Sequence, residues 1–409
     1  MGRKTNKWVK GDTSLWALII IFSLLSLIFV YSSSSRIAVM QHTTTFSIML
    51  KQMRFILIGF GVIYLCHIFP LGGYRKLAYF AYIGALILLV ITLFKGESRN
   101  EGTRWLTMFG FRFQPSEFAK IALILFVAKV LEEDKIVAFK DFLLRLFLPL
   151  LAFIIPIIWE GFSTGVLLTV TVFIMLLISR VRFSHIAKGA GIVVLLVGLL
   201  YGGMVLQRTL KKDEGPTLAS SSRLETVEKR IADFLGIGEQ EAEKESDQVM
   251  YSKVAIATGG IGGKIPGNGN LRHVLPLSNS DYIYSIIVEE TGLIGGVFVI
   301  GLYFWLLYSV ILIAKDCKKV FSAMLVCGLG ILIVTQAMIH ILVNVGVLPV
   351  TGQTLPLISS GGSSVLAVSI AFGMMLSVSR ALQDERLYTL ELTEEEMKSV
   401  TGDEKTEQS

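Results

Sequence analysis

The chain has 409 residues, of which 53% are hydrophobic and only 17% are charged. Soluble proteins carry roughly a quarter charged residues because their surfaces face water, so this composition excludes an ordinary soluble protein. The formal net charge of +6 is modest, and we expect no nucleic-acid partner. The three cysteines have neither metal-site nor redox-pair spacing and are interpreted as packing residues: Cys66, Cys317 and Cys327.

Ten apolar runs approach the roughly 20 residues that a helix needs to cross a bilayer. The first, Leu15 to Val30, follows a basic start and could be a cleaved signal peptide, but its length and the many later runs favour a retained helix. The eighth is too long for one perpendicular span, so it must tilt or begin inside a protein-lined cavity. The predicted fold is an all-α polytopic membrane protein with ten transmembrane helices, near 14–31, 53–69, 77–95, 116–131, 143–158, 162–179, 187–206, 283–314, 322–346 and 362–381.

Lysine and arginine concentrate in the short loops on one side of this arrangement, which the positive-inside rule assigns to the cytoplasm. Both termini then lie in the cytoplasm, and one large loop between the seventh and eighth helices is extracytoplasmic. The charged middle of that loop is consistent with short surface helices, and the acidic end of the chain is expected to be disordered. The predicted divisions are a cytoplasmic N-terminus at 1–13, transmembrane helices 1–7 at 14–206, the large extracytoplasmic loop at 207–282, helices 8–10 at 283–381 and a cytoplasmic acidic tail at 382–409.

Two ionisable residues lie close to the start of the fourth predicted helix. Glu117 and Lys120 are three residues apart and share a helix face, so they can form an ion pair. Because ionisable groups at membrane depth are costly, they indicate a functional site. The alternative is a structural ion pair that fixes helix packing.

An arginine stands next to a tryptophan in the predicted outer loop before that helix. Arg104 and Trp105 could be residues of the interfacial belt that anchors membrane proteins. Arginine also binds phosphate groups through two parallel hydrogen bonds, so a phosphate-binding role for Arg104 is the second interpretation.

An aspartate lies where the large loop meets the eighth predicted helix. Partial desolvation of Asp281 at this boundary should raise its pKa, which suits a general base. The alternative is an N-cap carboxylate that accepts hydrogen bonds from the first amides of the helix. Residue spacing does not separate the two interpretations.

A segment rich in glycine, proline and hydroxyl groups precedes the last predicted helix, at 348–364. Irregular backbone at membrane depth persists only where it is buried in protein or lines a cavity, so this segment is predicted to form a cavity wall. A further glycine cluster, at 259–269, is too irregular for a phosphate-binding loop and is expected mainly to shape the loop.

Together these segments resemble the SEDS family (shape, elongation, division and sporulation proteins), which includes FtsW and RodA. The resemblance covers about 15–380, and its specificity comes from the order and spacing of several motifs. These are Arg104-Trp105 with Gln114-Pro115-Ser116-Glu117 and Lys120; Ser280-Asp281-Tyr282-Ile283 with Glu289-Glu290 and Gly292; and Asn344-Val345-Gly346 with Leu355-Pro356-Leu357-Ile358-Ser359 and Gly361-Gly362-Ser363.

The resemblance implies an inverting peptidoglycan glycosyltransferase that polymerises lipid II at the outer face of a bacterial cytoplasmic membrane. The implied partners are a class B penicillin-binding protein and other divisome proteins. Asp281 matches the family's essential acidic residue and is expected to be catalytic. No residue is assigned to a metal, although Mg²⁺ or Mn²⁺ could assist Arg104 and Lys120 at the leaving diphosphate. The expected substrate or cavity residues are Arg104, Glu117, Lys120, Glu290, Gln353 and Ser359.

The sequence departs from the family pattern at three places, which concern substrate contacts more than the reaction. Asn279 stands where histidine is frequent, Thr351 stands where lysine is frequent, and 160–165 replaces an aspartate-containing stretch. Overall likeness favours a division enzyme similar to FtsW and a septal location. A RodA-like elongation polymerase, a lipid II flippase and a scaffold that recruits a synthase are the alternatives.

Overall fold

The computed structural model describes residues 10–99, 102–108, 111–133, 136, 138–193, 195, 242–275 and 277–406. The side chains of 97–99, 102–104, 108, 111, 242–246 and 391–406 lie outside that description. Within the described part, seven helical segments are long and apolar enough to cross a membrane, so the chain is a multi-pass membrane protein. They are Thr13–Ser33, Thr45–Ile68, Leu71–Lys95, Phe139–Glu160, Ile283–Asp316, Val320–Asn344 and Gly362–Leu390.

The first four helices are three long ones and one short one, and α1 packs on α3. Asp12 caps the first helix by accepting a hydrogen bond from the Leu15 amide at 3.0 Å. Thr44 caps the third helix in the same way, accepting from the Ser47 amide at 3.1 Å. These helices are α1 (Thr13–Ser33), α2 (Ser35–Met40), α3 (Thr45–Ile68) and α4 (Leu71–Lys95).

A small antiparallel sheet, in the order β1-β2-β3, follows α4, so the prediction of an all-α fold is wrong at this point. Only β3, Phe111–Phe113, alternates aromatic with polar residues, and a pattern this short does not stand out among the long apolar runs. Where the second and third strands pair, Thr107 lies opposite Arg112. The strands are β1 (Glu97–Arg99), β2 (Gly102–Met108) and β3 (Phe111–Phe113).

The middle of the chain contains shorter or more polar helices. A helix at Pro115–Glu132 (α5) carries four charged residues within 18 residues, which separates it from the apolar spans. Then come α6 (Phe139–Phe142), which continues through a π-helical turn at Leu143–Phe147 into α7 (Leu148–Glu160), and α8 (Phe162–Ile178). Only Gly161 separates α7 from α8, so these two helices form a tight hairpin. A further helix at 183–193 (α9) overlaps the predicted seventh span, whose remainder lies outside the described residues. The total of ten spans therefore stays a prediction.

The last part of the chain contains α10 (Ala242–Gly259), a 3-10 turn at Leu271–His273, α11 (Ile283–Asp316), α12 (Val320–Asn344) and α13 (Gly362–Thr406). The long eighth run is not one straight helix, because Gly292 breaks it with φ 73° and ψ −174°. Residues 283–290, before the break, are buried. The end of the large loop, from α10 onward, packs on α11, whereas 201–241 lie outside the described residues.

The core of the bundle is built around α12, which packs against α5, α8, α11 and α13. Gly328 allows the closest approach, since a Cβ there would lie 2.6 Å from Ile124 Cγ2 of α5 and 2.7 Å from Met175 Sδ of α8. The three cysteines are unpaired thiols. Burial raises the pKa of Cys317, between α11 and α12, to about 12, which favours an inert thiol there.

The acidic end of the chain is helical as far as Thr406 as a continuation of α13, so the expectation of a disordered tail is wrong. Glutamate, leucine and lysine are good helix formers, and the preceding membrane helix supplies the nucleus that an isolated segment would lack. Ion pairs join this extension to the end of the bundle where α1 begins and α11 ends. They connect Lys10 to Asp384 at 2.7 Å and Lys318 to Glu385 at 2.7 Å.

Candidate functional site

A polar cavity of about 680 Å³ lies at one end of the bundle. Its walls come from the region after α1, the sheet, the starts of α5 and α8, the turn before α11 and the segment before α13. The residues that line it are Arg36, Ile37, Met40, Gln41, Trp105, Arg112, Gln114, Glu117, Thr164, Leu277, Ser280, Asp281, Gly352, Gln353, Thr354, Ser360, Gly361, Ser363 and Ser364.

Helix direction explains why these distant segments meet. The C-terminal end of α1 and the N-terminal ends of α5, α8, α11 and α13 all lie at the cavity end of the bundle. N-terminal helix ends carry a partial positive charge and unpaired amides, which favour an anionic group nearby. The opposite end of each helix points away from the cavity.

Asp281 lies on the cavity wall in a tight turn at 277–282, where Leu277 has a left-handed φ of 55°. Helix α11 begins at Ile283, and the structure gives no side-chain cap at its N-cap residue Tyr282. The N-cap position of α11 is thus occupied by Tyr282, and Asp281 is the residue before it. The Asp281 carbonyl accepts a hydrogen bond from Asn344 Nδ2 at 3.0 Å, which fixes the backbone at this point of the cavity wall.

The turn that carries Asp281 is tied to two neighbouring segments. Ser278 Oγ donates to the Ser33 carbonyl at 2.8 Å, which ties the turn to the end of α1. Ser359 Oγ donates to the Ser280 carbonyl at 2.7 Å, and the Ser360 amide donates to the Asn279 carbonyl at 2.8 Å. Ser359, expected as a cavity residue, is buried behind the wall and holds the turn instead of facing the cavity.

Glu117 and Lys120 form the ion pair that their spacing predicts, with 2.9 Å between Lys120 Nζ and Glu117 Oε1. Lys120 Nζ also donates to Gln336 Oε1 at 2.9 Å, and Gln336 Nε2 donates to the Thr354 carbonyl at 3.0 Å. Glu117 lines the main cavity, whereas Lys120, which is 2% exposed, lies below it in a small inner pocket. The pair thus connects the cavity to the packing of α5 on α12.

The sheet brings an arginine and a tryptophan to the cavity. The Arg112 guanidinium lies 5.0 Å from the centre of the Trp105 ring, a cation–π distance. Arg104 lies in β2, and its side chain is outside the described part of the structure. Arg112 and Arg36 are charged cavity residues that no sequence motif indicates.

Gln353 lines the cavity as predicted, and its Nε2 donates to Thr164 Oγ1 at 2.8 Å. This bond ties the 352–361 wall to α8. Glu290 lies elsewhere, on the buried first segment of α11, where it accepts a hydrogen bond from Ser32 Oγ of α1. Its neighbour Glu289 pairs with Lys264 at 2.9 Å, which fixes the glycine-rich loop over α11. Glu290 is therefore part of the support behind the cavity.

Fold and site define an integral membrane protein with a charged, hydroxyl-rich chamber at one end of an apolar bundle, a shape that suits an amphiphilic substrate with a polar head. Comparison with known proteins adds the family. The FtsW, RodA and SpoVE family, described as cell cycle proteins, matches residues 12–384. The chain belongs to this family.

Individual relatives align along nearly the whole chain. Stage V sporulation protein E of Bacillus subtilis is 31% identical, over 92% of this chain and 99% of that protein. The probable peptidoglycan glycosyltransferase FtsW of Trichlorobacter lovleyi is 30% identical, over 93% and 96%. The FtsW of Caulobacter vibrioides is 28% identical, over 92% and 89%.

Solved structures support the same fold. A chain of a peptidoglycan synthase complex superposes with a TM-score of 0.71 at 24% identity, over 91% of this chain and 98% of that chain. The D255A variant of the rod shape determining protein RodA of Thermus thermophilus superposes with a TM-score of 0.65 at 24% identity, over 91% and 98%.

Proposed function

We propose that this protein is a peptidoglycan glycosyltransferase that polymerises lipid II, an undecaprenyl-diphosphate-linked disaccharide pentapeptide. The observation that carries the proposal is the position of Asp281, on a braced turn in the wall of a 680 Å³ cavity that also contains two arginines. Family relatives named as peptidoglycan glycosyltransferases support the reaction class. The cavity is large enough for a sugar head group, while the bundle surface accommodates the lipid.

In the proposed reaction, the acceptor sugar's hydroxyl oxygen attacks the anomeric carbon of the donor. The new carbon–oxygen bond forms as the bond to the diphosphate breaks, and the diphosphate leaves with the electron pair. Asp281 takes the hydroxyl proton as the new bond forms. Because this single displacement occurs from the face opposite the leaving group, it inverts the anomeric centre. General-base help of this kind contributes about 10²- to 10⁴-fold.

The leaving diphosphate needs positive charge close to it. Arg36 and Arg112 lie in the cavity wall and can supply this charge. Lys120, proposed from sequence for the same task, is held in the buried ion pair with Glu117 and acts through the wall. Arg104 stays a candidate for the diphosphate.

A divalent cation is a further possibility for charge at the diphosphate. Mg²⁺ usually takes one or two carboxylates and completes its shell with water and substrate phosphates. The described carboxylates that line the cavity are Asp281 and Glu117, so such an ion would depend mainly on the substrate for ligands. Polymerisation that stops with EDTA and returns with Mg²⁺ or Mn²⁺ would support this role, and activity unaffected by EDTA would contradict it.

The setting of the reaction is also a proposal. The distribution of lysine and arginine supports an orientation with the cavity end at the outer face and both termini in the cytoplasm. The proposed partners are a class B penicillin-binding protein, which would crosslink the new strands, and other divisome proteins at the septum. The structural similarity to a chain of a peptidoglycan synthase complex supports the first partner.

A RodA-like role in elongation is the second candidate, because solved structures with the same fold include a rod shape determining protein. Depletion of the protein decides between the roles: long filaments without septa indicate division, and round cells indicate elongation. A lipid II flippase predicts transport without polymer, which the assay below separates.

The decisive experiment is polymerisation of lipid II by the purified full-length protein and by its Asp281→Asn variant. We expect normal folding of the variant and a loss of polymerisation of at least about 100-fold, because the amide cannot accept the proton. Asp316→Asn, at the opposite end of α11, is the matched control and should keep normal activity. Normal polymerisation by Asp281→Asn would overturn the proposed mechanism.

A further inference from the structure

Three polar side chains lie in one row along α12, the central helix of the bundle. Gln336, His340 and Asn344 follow each other at intervals of four residues, which places them on one face of the helix. All three are buried, with exposed fractions of 3%, 1% and 0%. Burying polar groups in an apolar bundle is costly unless each is hydrogen-bonded, so this row calls for a physical reason.

Asn344 contacts both the turn that carries Asp281 and the first turn of α11. Its Nδ2 donates to the Asp281 carbonyl at 3.0 Å, while its Oδ1 accepts from the Ser285 amide at 3.1 Å and from Ser285 Oγ at 3.0 Å. The side chain therefore uses its donor and its acceptor to fix the backbone on either side of Tyr282. A movement of Asn344 would change where the Asp281 carboxylate stands.

His340, one turn earlier, binds the opposite wall of the cavity. Its Nδ1 lies 2.7 Å from the Gln353 carbonyl, and because a carbonyl only accepts, Nδ1 must carry the proton. The other ring nitrogen, Nε2, has no hydrogen-bond partner among the described residues. Among the described residues, the buried ring of His340 therefore makes one hydrogen bond, to the wall segment.

Gln336 lies one helical turn before His340 and contacts the same wall at Thr354, the residue after Gln353. Its Nε2 donates to the Thr354 carbonyl at 3.0 Å, and its Oε1 accepts from Lys120 Nζ at 2.9 Å. The three side chains therefore contact the backbone at Asp281, Gln353 and Thr354, each of which lines the cavity.

We propose that Gln336, His340 and Asn344 are positioning residues that set the distance between the Asp281 turn and the 352–361 wall, an assignment that rests on the proposed function. A single straight helix bears all three contacts, so the two walls share one rigid reference. The three side chains also satisfy buried backbone groups that apolar side chains would leave unpaired, so the same contacts that stabilise the two walls fix their separation. A misplacement of about 1 Å in a reacting group can cost about 100-fold in rate.

The test for His340 compares two substitutions. In His340→Asn the amide nitrogen takes the place of Nδ1 and keeps the bond to the Gln353 carbonyl, whereas His340→Leu fills the space without a donor. We expect His340→Asn to keep kcat for lipid II polymerisation within about threefold of the unsubstituted protein. His340→Leu should lower kcat at least tenfold with little change in KM. A packing role would predict the reverse order.

Asn344→Ala supplies an independent arm. We expect kcat to fall at least tenfold and amide hydrogen exchange at 281–285 to accelerate, with KM changed less than about twofold. Ser377→Ala is the control, because Ser377 Oγ makes a comparable bond, 2.7 Å to the Phe69 carbonyl, at the other end of the bundle. That variant should keep kcat and leave exchange at 281–285 unchanged.

The outcomes separate the two proposals. Normal kcat in both His340→Leu and Asn344→Ala would overturn the positioning role while leaving lipid II polymerisation intact. Normal activity of Asp281→Asn would overturn the mechanism itself. If Asn344→Ala does not fold, the order of the two His340 variants decides.

Discussion

The buried pair of Glu117 and Lys120 shows how one contact serves two purposes. The ammonium bonds to Glu117 Oε1 and Gln336 Oε1, so its charge is compensated although Lys120 is almost fully buried. Well-packed apolar residues often stabilise a protein as much as such a pair does, whereas removal of one partner leaves an unpaired charge. The ion pair that the spacing predicts is confirmed, and Glu117 also lines the cavity, while a functional role for the pair stays a prediction.

Lys120→Met should lower the free energy of unfolding by about 3–5 kcal/mol, because Glu117 would remain charged and buried without its partner. The double variant Glu117→Leu with Lys120→Met should recover most of that loss. Thermal unfolding in detergent measures both. Equal melting temperatures for the single variant and the unsubstituted protein would contradict the buried pair.

The proposed role of Arg112, to supply positive charge at the leaving diphosphate, also depends on a single side chain. Arg112→Gln should raise KM for lipid II about tenfold or more, since a hydrogen bond to a charged group contributes about 1.5–3 kcal/mol. The control is Arg75→Gln, which removes an arginine from the opposite end of the bundle, where it pairs with Glu132 at 2.6 Å. Unchanged KM in Arg112→Gln would remove this residue from the substrate site.

At the level of elements, the break in α11 decides where the site lies. Gly292 adopts a left-handed φ, and a Cβ there would clash with the Ile261 carbonyl of the glycine-rich loop. The Leu293 amide donates to the Gly260 carbonyl at 2.9 Å, so the loop replaces part of the missing helical bonding. The first segment of α11 can therefore sit buried beside the cavity while the second part crosses the bundle.

Gly292→Ala should destabilise the protein by about 1–3 kcal/mol and lower polymerisation, because the alanine would be strained in this backbone conformation and its Cβ would meet the Ile261 carbonyl. Gly301→Ala, on the same helix in open space, is the matched control and should be neutral or slightly stabilising. Melting temperature and initial rate measure both effects. A neutral Gly292→Ala would show that the break tolerates a side chain.

For the whole molecule, the proposed function requires the cavity to open on the outer side of the membrane. In a variant without native cysteines, Ser280→Cys should react in intact spheroplasts with a maleimide that does not cross membranes. Lys318→Cys, at the exposed turn between α11 and α12, should react only after permeabilisation. The opposite pattern would place Asp281 in the cytoplasm and exclude the proposed reaction.

Much of the fold could be predicted from the sequence. Apolar runs of span length predicted most of the helices, since the cost of unpaired backbone in lipid leaves few alternatives. The three-stranded sheet was not predicted, because strands of three to seven residues are shorter than the window over which hydropathy is averaged. The helical tail was not predicted for a different reason. Its composition suits both a helix and a disordered segment, and the adjoining membrane helix favours the helix.

The site was predicted unevenly. Asp281, Glu117 and Gln353 line the cavity as expected, whereas Ser359 and Glu290 support it from behind. Arg36 and Arg112 are distant in sequence from Asp281, and no local pattern indicates that they share a wall with it.

By itself the sequence determined the membrane class, the order of the spans and the residues that carry charge at membrane depth, because these follow from composition and from local periodicity. Tertiary structure alone decided which charges face the cavity and which lie in the packing. It also decided that one face of α12 holds both walls of the site. Those outcomes depend on contacts between residues far apart in the chain, which arise only when the helices pack.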